Sequence, residues 1–131
     1  MIRPTDPSIT PFEAFGGHVF FDRLVAAFYG RVETEPVLRP MYPGSDLGPA
    51  EERLRLFLEQ YWGGPTTYSE RRGHPRLRMR HAHFAIDREA GERWLGHMRA
   101  SLDEQALPVE LDSLIWEYFE TAAPAMMNTE G

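Results

Sequence analysis

Phe21, Leu24, Val25, Phe28, Tyr29 and Val32 fall at i, i+3, i+4, i+7, i+8 and i+11. Only an α-helix carries residues at those intervals on one face, because its 3.6-residue turn brings every third or fourth position back to the same side. An apolar stripe three turns long must be covered by something, and the rest of the chain supplies further helices. Leu54, Phe57, Leu58 and Tyr61 form a second stripe, introduced by Pro49 and stopped by Gly63-Gly64-Pro65. Ala90, Trp94, Leu95, Met98 and Leu102 form a third, behind an Asp87 suited to accept from the orphan N–H groups of a helix start. Leu111, Leu114, Ile115, Tyr118, Phe119 and Ala122 form the fourth, beginning at Pro108.

The connections are short. Thr10-Pro11-Phe12-Glu13 reads as a capped helix start, and Gly16-Gly17 ends that helix after about a turn and a half. Pro36, Pro40 and Pro43 leave little room for regular structure between the first two stripes. Residues 66–73, which include Tyr68, are polar and aperiodic and predict a loop. Pro75 predicts a short helix from His74 with Leu77, His81 and Phe84 on one face. No period-2 run flanked by hairpin turns occurs, and no internal repeat. The fold class is all-α.

A chain of 131 residues supports one domain, expected over residues 10–131 behind a flexible lead-in at 1–9. Folding at this size buries roughly 68% of the unfolded surface, so no disulfide staple is needed. There is no cysteine, which excludes thiol catalysis, Cys-ligated zinc and iron–sulfur clusters, and fits a reducing compartment. Fourteen Lys and Arg against twenty Asp and Glu leave a net charge of −6, a poor match to a phosphate backbone, so no nucleic-acid partner is expected. No apolar run reaches the roughly 20 residues of a membrane span, and the N-terminus lacks the apolar centre of a signal peptide. A soluble, cytoplasmic protein is expected.

His18, His74, His81, His83 and His97 form no HExxH and no i, i+4 pair, so two imidazoles are not set on one helix face for zinc. His81 and His83 point roughly 200° apart on a helix. His81 alone lies on an apolar face. Its ordinary reading is a partly buried histidine bonded to a backbone carbonyl; the sharper one is a single axial ligand to a haem iron. Tyr29, Tyr42 and Trp94 each carry one polar atom on an apolar body. Each reads as an ordinary core aromatic, or together they line a hidden ligand, and periodicity does not show whether they converge. Arg71, Arg72, Arg76, Arg78 and Arg80 surround His81. They read as a solvated face, as a phosphate patch that the acidic chain disfavours, or, for one or two of them with Arg53, as partners of an anionic cofactor. No GxSxG, phosphate loop or positioned acid–base pair is present.

The run AEERLRLFLEQYWGGPTTYSERRGHPRLRMRHAHF, residues 50–84, closely resembles the truncated haemoglobins, specifically group II (class O). The likeness extends over residues 12–127. It implies a two-over-two helical sandwich around one haem b per chain. It implies that His81, in RMRHAHF, is the proximal ligand of the iron. Tyr29, in AAFYGRV, matches the tyrosine facing the distal ligand, and Tyr42, in RPMYPG, stands where most globins have phenylalanine. Trp94, in ERWLGHM, matches the group II tryptophan whose indole N–H enters the distal pocket. Ala50 replaces the distal histidine of many globins, and Leu54 matches an apolar wall residue. Arg53 and Arg78 are candidates for haem propionates, and Phe57, Tyr61, Tyr68, Leu77 and Phe84 for pocket lining. The lead-in, His83 and His97 have no counterpart role.

The resemblance implies reversible binding of dioxygen and of other small haem ligands such as CO, NO and sulfide. Two or three donors at roughly 0.5–1.5 kcal/mol each would slow oxygen release about tenfold to a thousandfold, which suits storage, sensing or chemistry better than oxygen transport. A second reading is a redox enzyme, peroxidase-like or detoxifying NO, fed by an unidentified external reductant; peroxidase turnover abolished by Trp94→Phe would favour it. A third is a helical interaction module without haem, in which His81→Ala changes no spectrum. An apolar strip on the last helix, with Tyr118 and Phe119, reads either as a homodimer surface or as core.

Overall fold

The computed structural model describes residues 9–42, 44–72 and 87–126. Among the described residues six α-helices follow one another: α1 (Pro11–Phe15), α2 (Gly17–Val32), α3 (Gly48–Tyr61), α4 (Thr67–Arg72), α5 (Arg88–Gln105) and α6 (Val109–Met126), with a 3₁₀ turn at Arg39–Met41. No strand occurs among the described residues. Residues 1–8 of the expected lead-in, and the short helix predicted from His74, lie outside the described residues.

All six residues of the first stripe are buried along α2, five of them with no exposed surface. Both α3 and α5 pack on α2, and α6 closes over α5. Capping follows the sequence. The Thr10 side chain accepts from the Glu13 N–H, and Gly16, at φ 123°, ends α1 in a backbone region that L side chains rarely adopt. The Asp87 carboxylate accepts from the Ala90 N–H at 2.9 Å. Between the first two stripes the described residues of the proline-rich connection form a 3₁₀ turn and no α-helix.

Two expectations are corrected. Residues 67–72 form α4 rather than loop. The Gln60 amide donates to the Ser69 hydroxyl and its carbonyl accepts from the Ser69 N–H, while Tyr68 is buried against Phe57. Tertiary contacts thus hold one helical turn and a half that lacks any stripe of its own. At the end of α3, Tyr61 is 53% exposed and Trp62 takes the core position beside Phe15. Leu58 and Trp62, four residues apart, define the buried ridge there. Gly64 makes this corner close: its N–H donates to the Glu59 carbonyl, and a Cβ would meet that oxygen and the Phe12 ring, each at 2.7 Å.

Ion pairs, among them those made to the buried carboxylates of Glu59 and Glu35, tie the layers together. Glu59 receives Arg55 and His18, joining α3 to α2. Arg31 of α2 grips Glu104 with both guanidinium nitrogens and also donates to the buried Ser101 hydroxyl. Arg99 links Asp103 to Asp112 of α6 and lies over the Trp116 ring. Glu35 sits just beyond α2, where its carboxylate accepts from the Val37 and Leu38 N–H groups and from Arg93 of α5, with His97 at 3.4 Å. Burial alone would push this carboxyl up, but Arg93, the two backbone N–H groups and His97 outweigh it and hold it at about 2.

A folded-state value below the ordinary 4.5 contributes stability that is present above pH 4.5 and is lost as pH falls towards 2. Glu35→Gln is therefore expected to cost about 1–3 kcal/mol at neutral pH. In denaturant titrations the gap between wild type and variant should close between pH 4.5 and 2; a gap independent of pH would show that the charge is not what stabilises.

Candidate functional site

Three elements bring the singled-out aromatics together. Tyr29 is on the buried face of α2, one residue after Phe28, and its ring meets Phe28 edge-on at 5.1 Å. Tyr42 follows the 3₁₀ turn and crosses Tyr29 at 5.5 Å, interplanar angle 80°. Arg39 fixes this segment by donating to the carbonyls of Tyr42 and Gly44. Trp94, on α5, lies between Phe28 at 4.9 Å and Phe119 of α6 at 5.6 Å.

The polar atoms of the three residues converge on the Tyr42 hydroxyl. The Tyr29 hydroxyl and the Trp94 indole N–H both lie close enough to it to shift its proton affinity. Burial pushes the Tyr29 phenol well above its ordinary value, and the charge of a Tyr42 phenolate and the bond to Tyr42 push it further. Burial also raises the Tyr42 phenol, against the pull of Tyr29, Trp94 and Arg53. Both phenols therefore keep their protons at neutral pH. The cluster presents O–H and N–H donors inside an apolar wall, where such bonds are stronger than in water.

α3 supplies the floor. Ala50 is buried at its first turn, Leu54 and Arg53 are partly buried one turn on, and Phe57 is buried beyond them. The Arg53 guanidinium is near enough to both phenols to oppose their rise. Tyr68 of α4 meets Phe57 at 5.5 Å. The exposed Tyr61 ring lies 6.2 Å from Phe57 and 4.3 Å from Tyr118. Arg71 reaches Glu52 at 2.6 Å on the open surface, in keeping with a solvated face. Leu77, Arg78, His81 and Phe84 lie outside the described residues.

The sequence profile of the bacterial-like globins matches residues 10–128. The chain belongs to this family. It is 39% identical over 118 residues to the Group 2 truncated hemoglobin YjbI of Bacillus subtilis (strain 168), covering 90% of this chain and 88% of that one. Its fold is similar to the thermostable hemoglobin of the actinobacterium Thermobifida fusca, at 62% identity and a TM-score of 0.90, covering 92% of this chain and 98% of that one. It is also similar to the group II truncated hemoglobin of Bacillus anthracis, at 37% identity and a TM-score of 0.90, covering 94% and 99% of the two chains. The fold is that of a truncated globin, and group II agrees with the resemblance carried by residues 50–84.

Membership implies a haem cofactor and a small-molecule ligand. The donor set fits that group. Neutral O–H and N–H donors beside a small Ala50 and the apolar side chains of Leu54 and Phe57 suit a small uncharged ligand. Among the described residues no helix is long and apolar enough to cross a membrane.

Sequence reasoning missed several supports of this globin's site. Phe28 and Phe119 clasp Trp94, yet both read only as stripe residues. Arg93 precedes Trp94 in sequence and is held by Glu35, whose burial no periodicity signals. His97 has no counterpart role in the family resemblance, but it completes that same anchor.

Proposed function

We propose that this globin is a haem b protein, one haem per chain, that reversibly binds dioxygen and other small ligands such as CO, NO and sulfide, with release slowed by Trp94 and the paired tyrosines. His81 is the proximal ligand in this reading. Arg53 and Arg78 meet the haem propionates, and Leu54, Phe57, Tyr68, Leu77 and Phe84 line the pocket. The observation that carries the reading is the convergence of Tyr29, Tyr42 and Trp94 on one buried point, with both phenols protonated.

The haem supplies the iron at which the ligand is taken up. The protein does the rest. A diatomic ligand that gathers negative charge is stabilised by hydrogen-bond donors and destabilised by lone pairs. Trp94 has only a donor to offer, and Tyr29 has a proton that its environment keeps in place. The Tyr42 hydroxyl lies beside both donors. An external electron source keeps the ferrous form available.

An absorption spectrum of the protein prepared with adequate haem tests this. The ferric form should give a strong Soret band that shifts on reduction and again on exposure to oxygen. His81→Ala should lose or alter that band, because it removes the side chain read as the proximal ligand. A folded helical protein with no Soret band, or a band indifferent to His81→Ala, would overturn the assignment.

A further inference from the structure

Glu35 lies between Tyr29 and Tyr42 in sequence and is only 6% exposed. Its two carboxylate oxygens face different parts of the fold. Oε2 accepts from the Val37 N–H at 2.5 Å and from the Leu38 N–H at 3.0 Å. Oε1 accepts from Arg93 at 2.6 Å and has His97 Nε2 at 3.4 Å. The backbone carbonyl of Glu35 receives the Arg39 N–H at 2.9 Å, and the Arg39 side chain in turn holds the carbonyls of Tyr42 and Gly44. One residue therefore braces the turn that carries Tyr42 and, through the same carboxylate, the helix that carries Trp94.

We propose that Glu35 is a positioning residue for ligand release: through Arg93 and His97 it sets the roll of α5, and so keeps the Trp94 indole N–H in register with the Tyr42 hydroxyl. This role rests on the reading that Trp94 and the paired tyrosines slow release from a haem. On a helix, Arg93 and His97 stand about 100° and 60° round the axis from Trp94, both on the same side of it. A grip on that flank resists rotation of α5 about its own axis, the motion that would swing the indole away from Tyr42. Further along the same flank Glu104 is tied to Arg31 of α2.

Attraction between α2 and α5 does not need this carboxylate. Phe28 already packs on Trp94, but apolar burial is non-directional and leaves the roll of a helix open. Charge-assisted hydrogen bonds are short and directional. A buried ion pair gives up much of its Coulombic gain to desolvation, and its best-attested use is to fix register between packed elements. Glu35 does so where register matters most, beside both Tyr42 and Trp94.

The test uses the full, haem-loaded chain, with loading measured for each protein by its Soret band. Oxygen release is followed by displacement with carbon monoxide. The indole N–H signals of the three tryptophans are followed by NMR of the carbon monoxide complex, Trp94 being the signal missing from Trp94→Phe. Glu35→Gln keeps an oxygen for the Val37 and Leu38 N–H groups but loses the charge that holds Arg93. It should quicken release about twofold to tenfold, the scale of one lost hydrogen bond. Arg93→Met, at a side chain 41% exposed, should act in the same direction, and it carries the test if Glu35→Gln takes up no haem. In both variants the Trp94 signal should shift and exchange faster with solvent, while those of Trp62 and Trp116 stay. Added to Trp94→Phe, Glu35→Gln should quicken release no further, because the donor it aims is already gone. Glu59→Gln removes a buried carboxylate that holds Arg55 and His18 instead, and should lower the melting temperature with release unchanged. An unmoved Trp94 signal, further quickening in the Trp94→Phe background, or equal quickening in Glu59→Gln would overturn the positioning role alone. The absence of a Soret band from wild type would overturn the haem reading and this role with it.

Discussion

Replacing both donors, Tyr29→Phe with Trp94→Phe, is expected to speed oxygen release about fivefold to a hundredfold, from two hydrogen bonds worth roughly 0.5–1.5 kcal/mol each. The geometry makes the single variants more telling. Trp94→Phe removes a donor outright and should quicken release about twofold to tenfold on the same scale. Tyr42→Phe removes the hydroxyl that lies beside the Tyr29 O–H and the Trp94 N–H. Those donors then have only the ligand to meet, so release should quicken less than in Trp94→Phe. Stopped-flow displacement of oxygen by carbon monoxide measures all three. A Tyr42→Phe effect as large as that of Trp94→Phe would mean that Tyr42 itself donates to the ligand and that the other two merely support it.

The contrast between those variants was not legible from spacing. Periodicity places Tyr29 and Trp94 on apolar faces of two helices, but it says nothing of how those faces are rotated against each other. Tyr42 has no period at all, since it follows a 3₁₀ turn among prolines, and its place depends on Arg39 holding the backbone carbonyls around it. The helices themselves were readable because each long stripe spans several turns, enough for the pattern to outweigh local exceptions. Thr10 and Asp87 were readable for a different reason: a cap depends only on neighbouring residues.

Where the pattern is short, distant contacts decide. α4 has one buried aromatic and a clamp from Gln60, nine residues before Ser69, and neither produces a stripe. At the end of α3 two aromatics stand side by side in sequence, and the sequence cannot say which turns inward. Phe15 on α1 settles it in favour of Trp62. Tyr61 is thereby left on the surface. Glu35 shows the same limit for charge. Its carboxylate is buried because α5 brings Arg93 and His97 to it, and no neighbour in sequence announces that meeting.

Phe28→Ala is expected to lower stability by about 3–5 kcal/mol, the usual cost of emptying a buried phenylalanine site. For a domain of this size that corresponds to a melting temperature lower by about 12–20 °C. Phe28 has no exposed surface, and its ring contacts both Tyr29 and Trp94. The cavity therefore opens directly behind the donor cluster. Trp94 would keep Phe119 on one side and lose its support on the other, so its N–H would no longer be aimed. Oxygen release should quicken in Phe28→Ala although no polar atom has been removed, while Phe28→Leu, which leaves a smaller void, should lose less of both properties. Thermal melts and stopped-flow traces on the same preparations separate the two effects. A variant that melts early but releases oxygen at the wild-type rate would show that the orientation of Trp94 is set by Phe119 and the Tyr42 hydroxyl alone. A parallel loss of both would mean that one residue of the central stripe holds the core and aims the donor, so that stability and ligand release could not be tuned separately at this position.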